Sequence, residues 1–185
     1  MQDCIPTFTG KGFDPFNPDP DLIDIVDIAH QLAGQTRWNG ATNWSGTRNA
    51  LTIAEHSVRV AIECPDEFKL DGLLHDAAEA YLGDWPRPYK HRFPALVEAE
   101  NWLHSMIAAK FRARTVIPQA VHVIDDRMQV TEFRDLVNVS KYDRAAWREQ
   151  MSPMQPFPET IIPGPASEAK LAFLSMFYDL TTGRG

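Results

Sequence analysis

Apolar positions recur at helical spacing along most of this chain and nowhere alternate as a half-buried strand requires. The first stripe, at Ile25, Ile28, Ala29 and Leu32, follows acidic residues and ends at Gly34, which predicts a helix over residues 21–33. Thr52 to Glu55 forms a capping box, so a second helix begins at Ile53 and carries Ile53, His56 and Val60 on one side. Leu70, Leu73, Leu74, Ala77, Ala78 and Tyr81 predict a third over 66–82, stopped by Gly83 and followed by a stiff, proline-bearing loop that reaches Lys90. Leu96, Val97, Trp102, Leu103, Met106 and Ile107 mark a broad-faced helix over 94–111. Another starts at Pro118, with its stripe at Val121, Ile124, Met128, Phe133 and Leu136. A last one over 165–180 offers Leu171, Leu174, Phe177 and Tyr178 for packing. These elements make the fold all-α, a compact helical bundle.

The remaining stretches lack this periodicity. Residues 1–20 hold four prolines and Phe8, Phe13 and Phe16, and read as an irregular arm that lies on the body through its phenylalanines. The loop over 35–49 is rich in Gly, Thr and Asn and carries Arg37, Trp38, Trp44 and Arg48; loops of this kind often bear function. Residues 138–164 are polar and end rich in proline, an excursion that either wraps the core or makes a subunit contact.

With 185 residues, 44% of them hydrophobic, the chain can bury one sizeable core, and residues 21–185 read as a single domain behind the arm. A balance of 18 basic against 25 acidic residues argues against a broad surface for nucleic-acid polymers, yet suits a small anionic substrate held by a few cations. Cys4 and Cys64 offer neither a metal spacing nor a disulfide framework, which makes a reducing cytoplasm the expected location. No signal peptide is legible, and no apolar run approaches the ~18 residues of a membrane span.

The chemistry concentrates on His75 and Asp76, adjacent in an alanine-rich apolar stretch where both are costly to bury unless a cation lies between them. Glu79 follows on the same helical sector. His56 falls on the buried side of the second helix and needs a partner. Asp125 lies on the Val121, Ile124, Met128 face, whereas Asp126 is rotated away by about 100°. Glu132, seven residues beyond Asp125, is either an orienting partner or a plain salt-bridge residue, with the plain role preferred. His30 reads as a packing residue more readily than a ligand, and Glu100 and His104 as surface or core-edge groups. Arg37 beside Trp38 either grips a nucleotide's phosphate and sugar or is a surface cation stacked on an indole. Two imidazoles and two carboxylates, His56, His75, Asp76 and Asp125, suit Mn²⁺, Co²⁺, Fe²⁺ or Zn²⁺ better than Ca²⁺.

The sequence elements AEHS, LLHDAAEAYLGD and VIDDRMQ resemble the HD superfamily of metal-dependent phosphohydrolases. Within it the chain is similar to the small bacterial and phage 5′-deoxynucleotidases, and to phage dATP hydrolases, through Arg37-Trp38, Glu55-His56-Ser57, His75-Asp76 with Glu79, and the run Gly83, Asp84, Pro86, Pro88, Lys90. The likeness covers residues 21–137, with Trp85 where an aliphatic residue is usual. It implies that His56, His75, Asp76 and Asp125 hold a divalent metal, Mg²⁺ included, and that Glu79 and Asp84 position or protonate reacting oxygens. It further implies that Arg37 and Trp38 favour a sugar lacking the 2′-hydroxyl. Lys90 joins Arg37 as a phosphate-binding cation. The expected substrate is a small-molecule nucleotide, and a homo-oligomer stays open. Two other readings remain: a non-catalytic nucleotide sensor, disfavoured by the presence of both Glu79 and Asp84, and a di-iron oxygenase, which needs further histidine ligands.

Overall fold

The N-cap at Thr52 sets the centre of the fold; of the expected capping box only this half forms, since the Glu55 carboxylate accepts from Arg59 and the Gly164 amide. The Thr52 hydroxyl accepts the Glu55 amide at 3.1 Å, and α2 runs Ile53–Glu63. Ile53, Ala54, His56, Ser57, Val60 and Ala61 are all buried, a sector too wide for one neighbour to cover. Helices α1 (Ile25–Ala33), α3 (Lys69–Leu74), α7 (Gln119–Leu136) and α9 (Ala166–Thr182) all pack against it. Shorter helices are α4 (Glu79–Leu82), α5 (Arg87–Arg92) and α8 (Asp143–Gln150), and α6 spans Pro94–Phe111. This computed structural model describes residues 4–44, 46, 49–139, 143–151 and 153–183; Arg48 of the first loop and residues 1–3 of the arm lie outside them. The architecture is all-α, with one two-stranded hairpin in the arm pairing Ile5–Pro6 and Gly12–Phe13.

One apolar cluster joins Ile28, Leu32, Ile53, Leu73, Leu103 and Phe173, and the arm adds Phe13 to it. Phe8 instead stacks on the exposed His30 at 3.7 Å, and Phe16 stays in solvent. A second cluster holds Val60, Val121, Met128 and Leu136 together with Phe157 and Ile161. The proline-rich excursion therefore wraps the core, tied down where the Phe157 amide donates to the Thr131 hydroxyl at 2.9 Å and the Ile161 amide to Asp135 at 2.9 Å. No helix among the described residues is long and apolar enough to cross a membrane.

Four elements differ from the sequence expectation. The helix expected over 66–82 is broken: a 3₁₀ turn at Asp66–Phe68 precedes α3, and residues 75–78 form tight turns before α4. The cause is local. His75 Nδ1 lies 2.7 Å from the Gly72 carbonyl and takes the acceptor that α-helical continuation would use, while the Ala77 and Glu79 amides bond three residues back. Gly72 has a second role, since a Cβ there would stand 2.8 Å from Cys64 Sγ and 3.2 Å from the Ala61 backbone. Its bare backbone lets α3 approach α2 and so brings His75 up to His56.

The second difference is that Lys90 sits on a helix, not in a loop: Pro86 precedes α5 and Pro88 occupies its first turn, where a missing N–H costs nothing. Third, α9 buries Ala169, Phe173 and Phe177, a ridge at four-residue spacing that leaves Leu171 and Tyr178 exposed. Fourth, α8 forms within the excursion expected to be irregular.

Candidate metal centre

Two imidazoles, one from α2 and one from the turn that ends α3, meet head on. His56 and His75 Nε2 are 3.3 Å apart, and both residues are buried. Each ring is fixed from behind by an acceptor: the Glu132 carboxylate 2.6 Å from His56 Nδ1, and the Gly72 carbonyl 2.7 Å from His75 Nδ1. A carbonyl or carboxylate oxygen can only accept here, so both Nδ1 atoms carry hydrogen. In the neutral rings both Nε2 lone pairs then face the same point, an arrangement that repels unless a cation occupies it.

Two carboxylates close round that point. Asp76 Oδ2 is 3.2 Å from His75 Nε2 and 3.6 Å from His56 Nε2. Asp125 Oδ1 is 3.1 Å and 3.8 Å from His56 and His75 Nε2. His56, His75 and Asp125 place one ligand atom each within 4.8 Å of one another and can hold a metal ion. Asp126 points elsewhere, 3.3 Å from Arg87. The donor set fits a borderline divalent cation.

The surrounding acids also favour a positive charge on the rings. Burial and the Arg37 guanidinium oppose a charge on His56, but Glu132 and Asp125 outweigh them and raise its pKa to about 9. His75 is also raised: burial acts against it, and Asp76 and Asp125 prevail. Metal binding and protonation therefore compete for the same nitrogens. Burial favours the neutral form of Asp76, but His75, Arg37 and His56 hold its pKa far below the usual carboxylate range.

Glu132 is the residue whose role sequence reasoning misjudged. It is fully buried and takes the orienting role that the sequence ranks below the plain salt bridge, accepting both from His56 Nδ1 and from the Trp38 indole N–H at 2.8 Å. Position seven beyond Asp125 was the available signal, because it sets the two acids on one face of α7. Glu132→Gln is expected to weaken divalent-metal affinity about 10–100-fold, the usual effect of losing a ligand's orienting hydrogen bond. Titration calorimetry checks this, and wild-type affinity in the variant would strip Glu132 of the orienting role.

The first loop closes one side. Arg37 reaches Asp76 at 3.4 Å, Glu132 at 3.5 Å and Asp125 at 4.0 Å, and these acids keep it charged against burial. Trp38 and Asn39 both adopt left-handed backbone, φ 59° and 50°, an arrangement of non-glycine residues that costs free energy unless anchored. The anchors are the indole bond to Glu132 and the Arg37 amide donating to the Leu51 carbonyl at 2.9 Å. Trp38 remains half-buried, its ring 6.0 Å from that of Phe133.

On the opposite side Glu79 is buried, and its Oε2 has no hydrogen-bond partner among the described residues. Burial raises its pKa well above the carboxylate range, Asp76 and Asp84 push the same way, and Lys90 and Arg37 offset only part. Asp84 is half-buried and raised chiefly by burial. Lys90 Nζ lies 3.4 Å from Glu79 and 2.7 Å from Glu100, so Glu100, a surface or core-edge group by sequence, stands at the rim of the site. His104 is buried, and burial together with His75 lowers its pKa. His30 takes no part.

No protein-family model matches the chain. Among known proteins, a 5′-deoxynucleotidase of Photobacterium profundum is 28% identical over 112 residues, 51% of this chain and 57% of that protein. An uncharacterized protein of Rhodobacter capsulatus is 33% identical over 118 residues, 61% of this chain and 60% of its own. YfdR of Escherichia coli (strain K12), itself uncharacterized, is 34% identical over 132 residues, 71% of each chain. Identity at that level over most of both sequences places this chain in the same family as YfdR.

Proposed function

We propose that this chain is a divalent-metal-dependent phosphohydrolase of the HD type, acting on 2′-deoxynucleoside mono- or triphosphates. The observation that carries the reading is the meeting of His56 and His75 Nε2 at 3.3 Å with Asp76 and Asp125 around them. The partial likeness to a protein named a 5′-deoxynucleotidase supports the substrate class. His56, His75, Asp76 and Asp125 are the residues to hold the cation. Its chemistry, when bound, is charge neutralisation at phosphoryl oxygen and acidification of water.

The chain's own groups divide the remaining work. Glu79, kept neutral by burial and by Asp76 and Asp84, is suited to donate a proton to the leaving oxygen. Asp84 positions the reacting oxygens from the other side of the Gly83 turn. Arg37 is bounded by three carboxylates and mainly balances their charge, whereas the ammonium of Lys90 lies at the rim, where an anionic phosphate would arrive. The direct test is phosphate release from a panel of deoxy- and ribonucleotides with each divalent metal in turn; absence of turnover across the panel refutes the proposal.

Sugar selection is assigned to Trp38. An indole plate against the 2′ edge would leave an added hydroxyl unpaired, a penalty of ~1–3 kcal/mol that favours deoxynucleotides about tenfold to a hundredfold in kcat/KM. Because Trp38 also anchors Glu132, Trp38→Phe, which keeps a plate but loses the N–H, should retain the preference even where it lowers rate. Equal kcat/KM for dAMP and AMP in the wild type removes sugar reading from this loop.

A further inference from the structure

Lys90 projects from a helix of only six residues, and a lysine side chain on so short an element has many rotamers open to it. The contact that restricts it comes from α6, where Glu100 Oε1 lies 2.7 Å from Nζ; the second contact, to Glu79 Oε1, is longer at 3.4 Å. Glu100 and Lys90 are each about one quarter exposed, so the pair sits at the lip of the site, half out of water. Glu100 also faces the acids of the site, being raised by burial and, beyond the opposing pull of Lys90, by Asp76 and Asp84. An acid that feels Asp76 and Asp84 in a place meant for phosphate is unfavourable on electrostatic grounds alone. It needs a compensating role.

An ammonium has three N–H donors. Glu100 and Glu79 occupy two, and the third is left for an incoming anion. We propose that Glu100 is a positioning residue for substrate phosphate: by gripping Lys90 Nζ it holds that ammonium at the lip of the site with one donor turned to the phosphoryl group. The same ion pair ties α5 to α6 across Phe93, where the backbone between the two helices leaves the helical conformation, φ −127° and ψ 75°. This deepens the proposed function and rests on it for the identity of the ligand, though not for the geometry.

The test is a double-mutant cycle read by calorimetric binding of inorganic phosphate to the full chain loaded with Mn²⁺, with KM and kcat for dAMP measured alongside. Lys90→Met and Glu100→Gln should each weaken phosphate binding, by about tenfold and about fivefold, as expected for losing or loosening one charge-assisted hydrogen bond. Glu100→Asp should recover part of the loss. In the Lys90→Met background Glu100→Gln should add less than about twofold, because its effect runs through Lys90. Effects that multiply instead, as a merely structural Glu100 would give, overturn the proposal, and so does tighter phosphate binding in Glu100→Gln, the result if Glu100 only repels anions. A chain that binds phosphate in this pattern yet hydrolyses no nucleotide would sink the phosphohydrolase reading and leave Glu100's role standing.

Discussion

Asp125→Asn is expected to remove most divalent-metal affinity, and Asp126→Asn to leave it near wild type. The two residues are neighbours in sequence with opposite surroundings. Asp125 Oδ1 stands 3.1 Å from His56 Nε2 at the point where both imidazoles converge. Asp126 pairs with Arg87 on the surface, a contact of the kind worth about 0–1 kcal/mol. An amide oxygen is a weaker ligand than a carboxylate and brings no charge to offset the cation, so the loss should exceed the ~10–100-fold that follows from removing a ligand's supporting hydrogen bond. Asp125→Asn should also lower the pKa of His56 in the metal-free protein, since Asp125 is one of the acids that raise it. Metal content after dialysis, with calorimetry for both variants, decides the matter. The reverse order of effects would mean that α7 presents its other face to the site.

That contrast is legible in the order of residues alone, because a rotation of about 100° per residue separates one carboxylate from the core stripe and leaves the other on it. The N-cap at Thr52 and the start of α2 are legible for a similar reason: the signal lies within four residues. What could not be read depends on contacts between distant segments. Glu132 meets His56 across 76 residues and Trp38 across 94; its offset of seven from Asp125 marks the shared face of α7 but not the partners that meet it there. Glu100 reads from the sequence as a surface or core-edge group, and nothing near it in the chain announces its partner Lys90, which the first-turn Pro88 lets stand on a helix. The break at residues 75–78 was hidden because apolar spacing reports which face is buried, while the interruption comes from a histidine side chain taking its own helix's carbonyl.

Glu79→Gln should lower turnover by about 10² to 10⁴, the usual share of a general acid, while metal content and fold stay intact. The glutamine has nearly the same shape, and burial already favours the neutral form of the native carboxyl, with Asp76 and Asp84 adding to that and Lys90 and Arg37 only partly opposing it. The substitution therefore removes a proton donor without removing a buried charge, and a large stability loss is not expected. The pH dependence has a definite sign. A group that must carry a proton to act loses activity as pH rises through its pKa, so the raised pKa of Glu79 moves the alkaline fall of kcat to higher pH than an ordinary carboxyl would allow. That limb should disappear from the residual activity of Glu79→Gln, since no proton on this side chain remains to be lost. Steady-state rates across pH on the full chain, with metal content measured on the same samples, separate the possibilities: a variant that loses its metal together with its activity makes Glu79 a ligand, and one that keeps wild-type turnover leaves proton donation to Asp84 or to solvent.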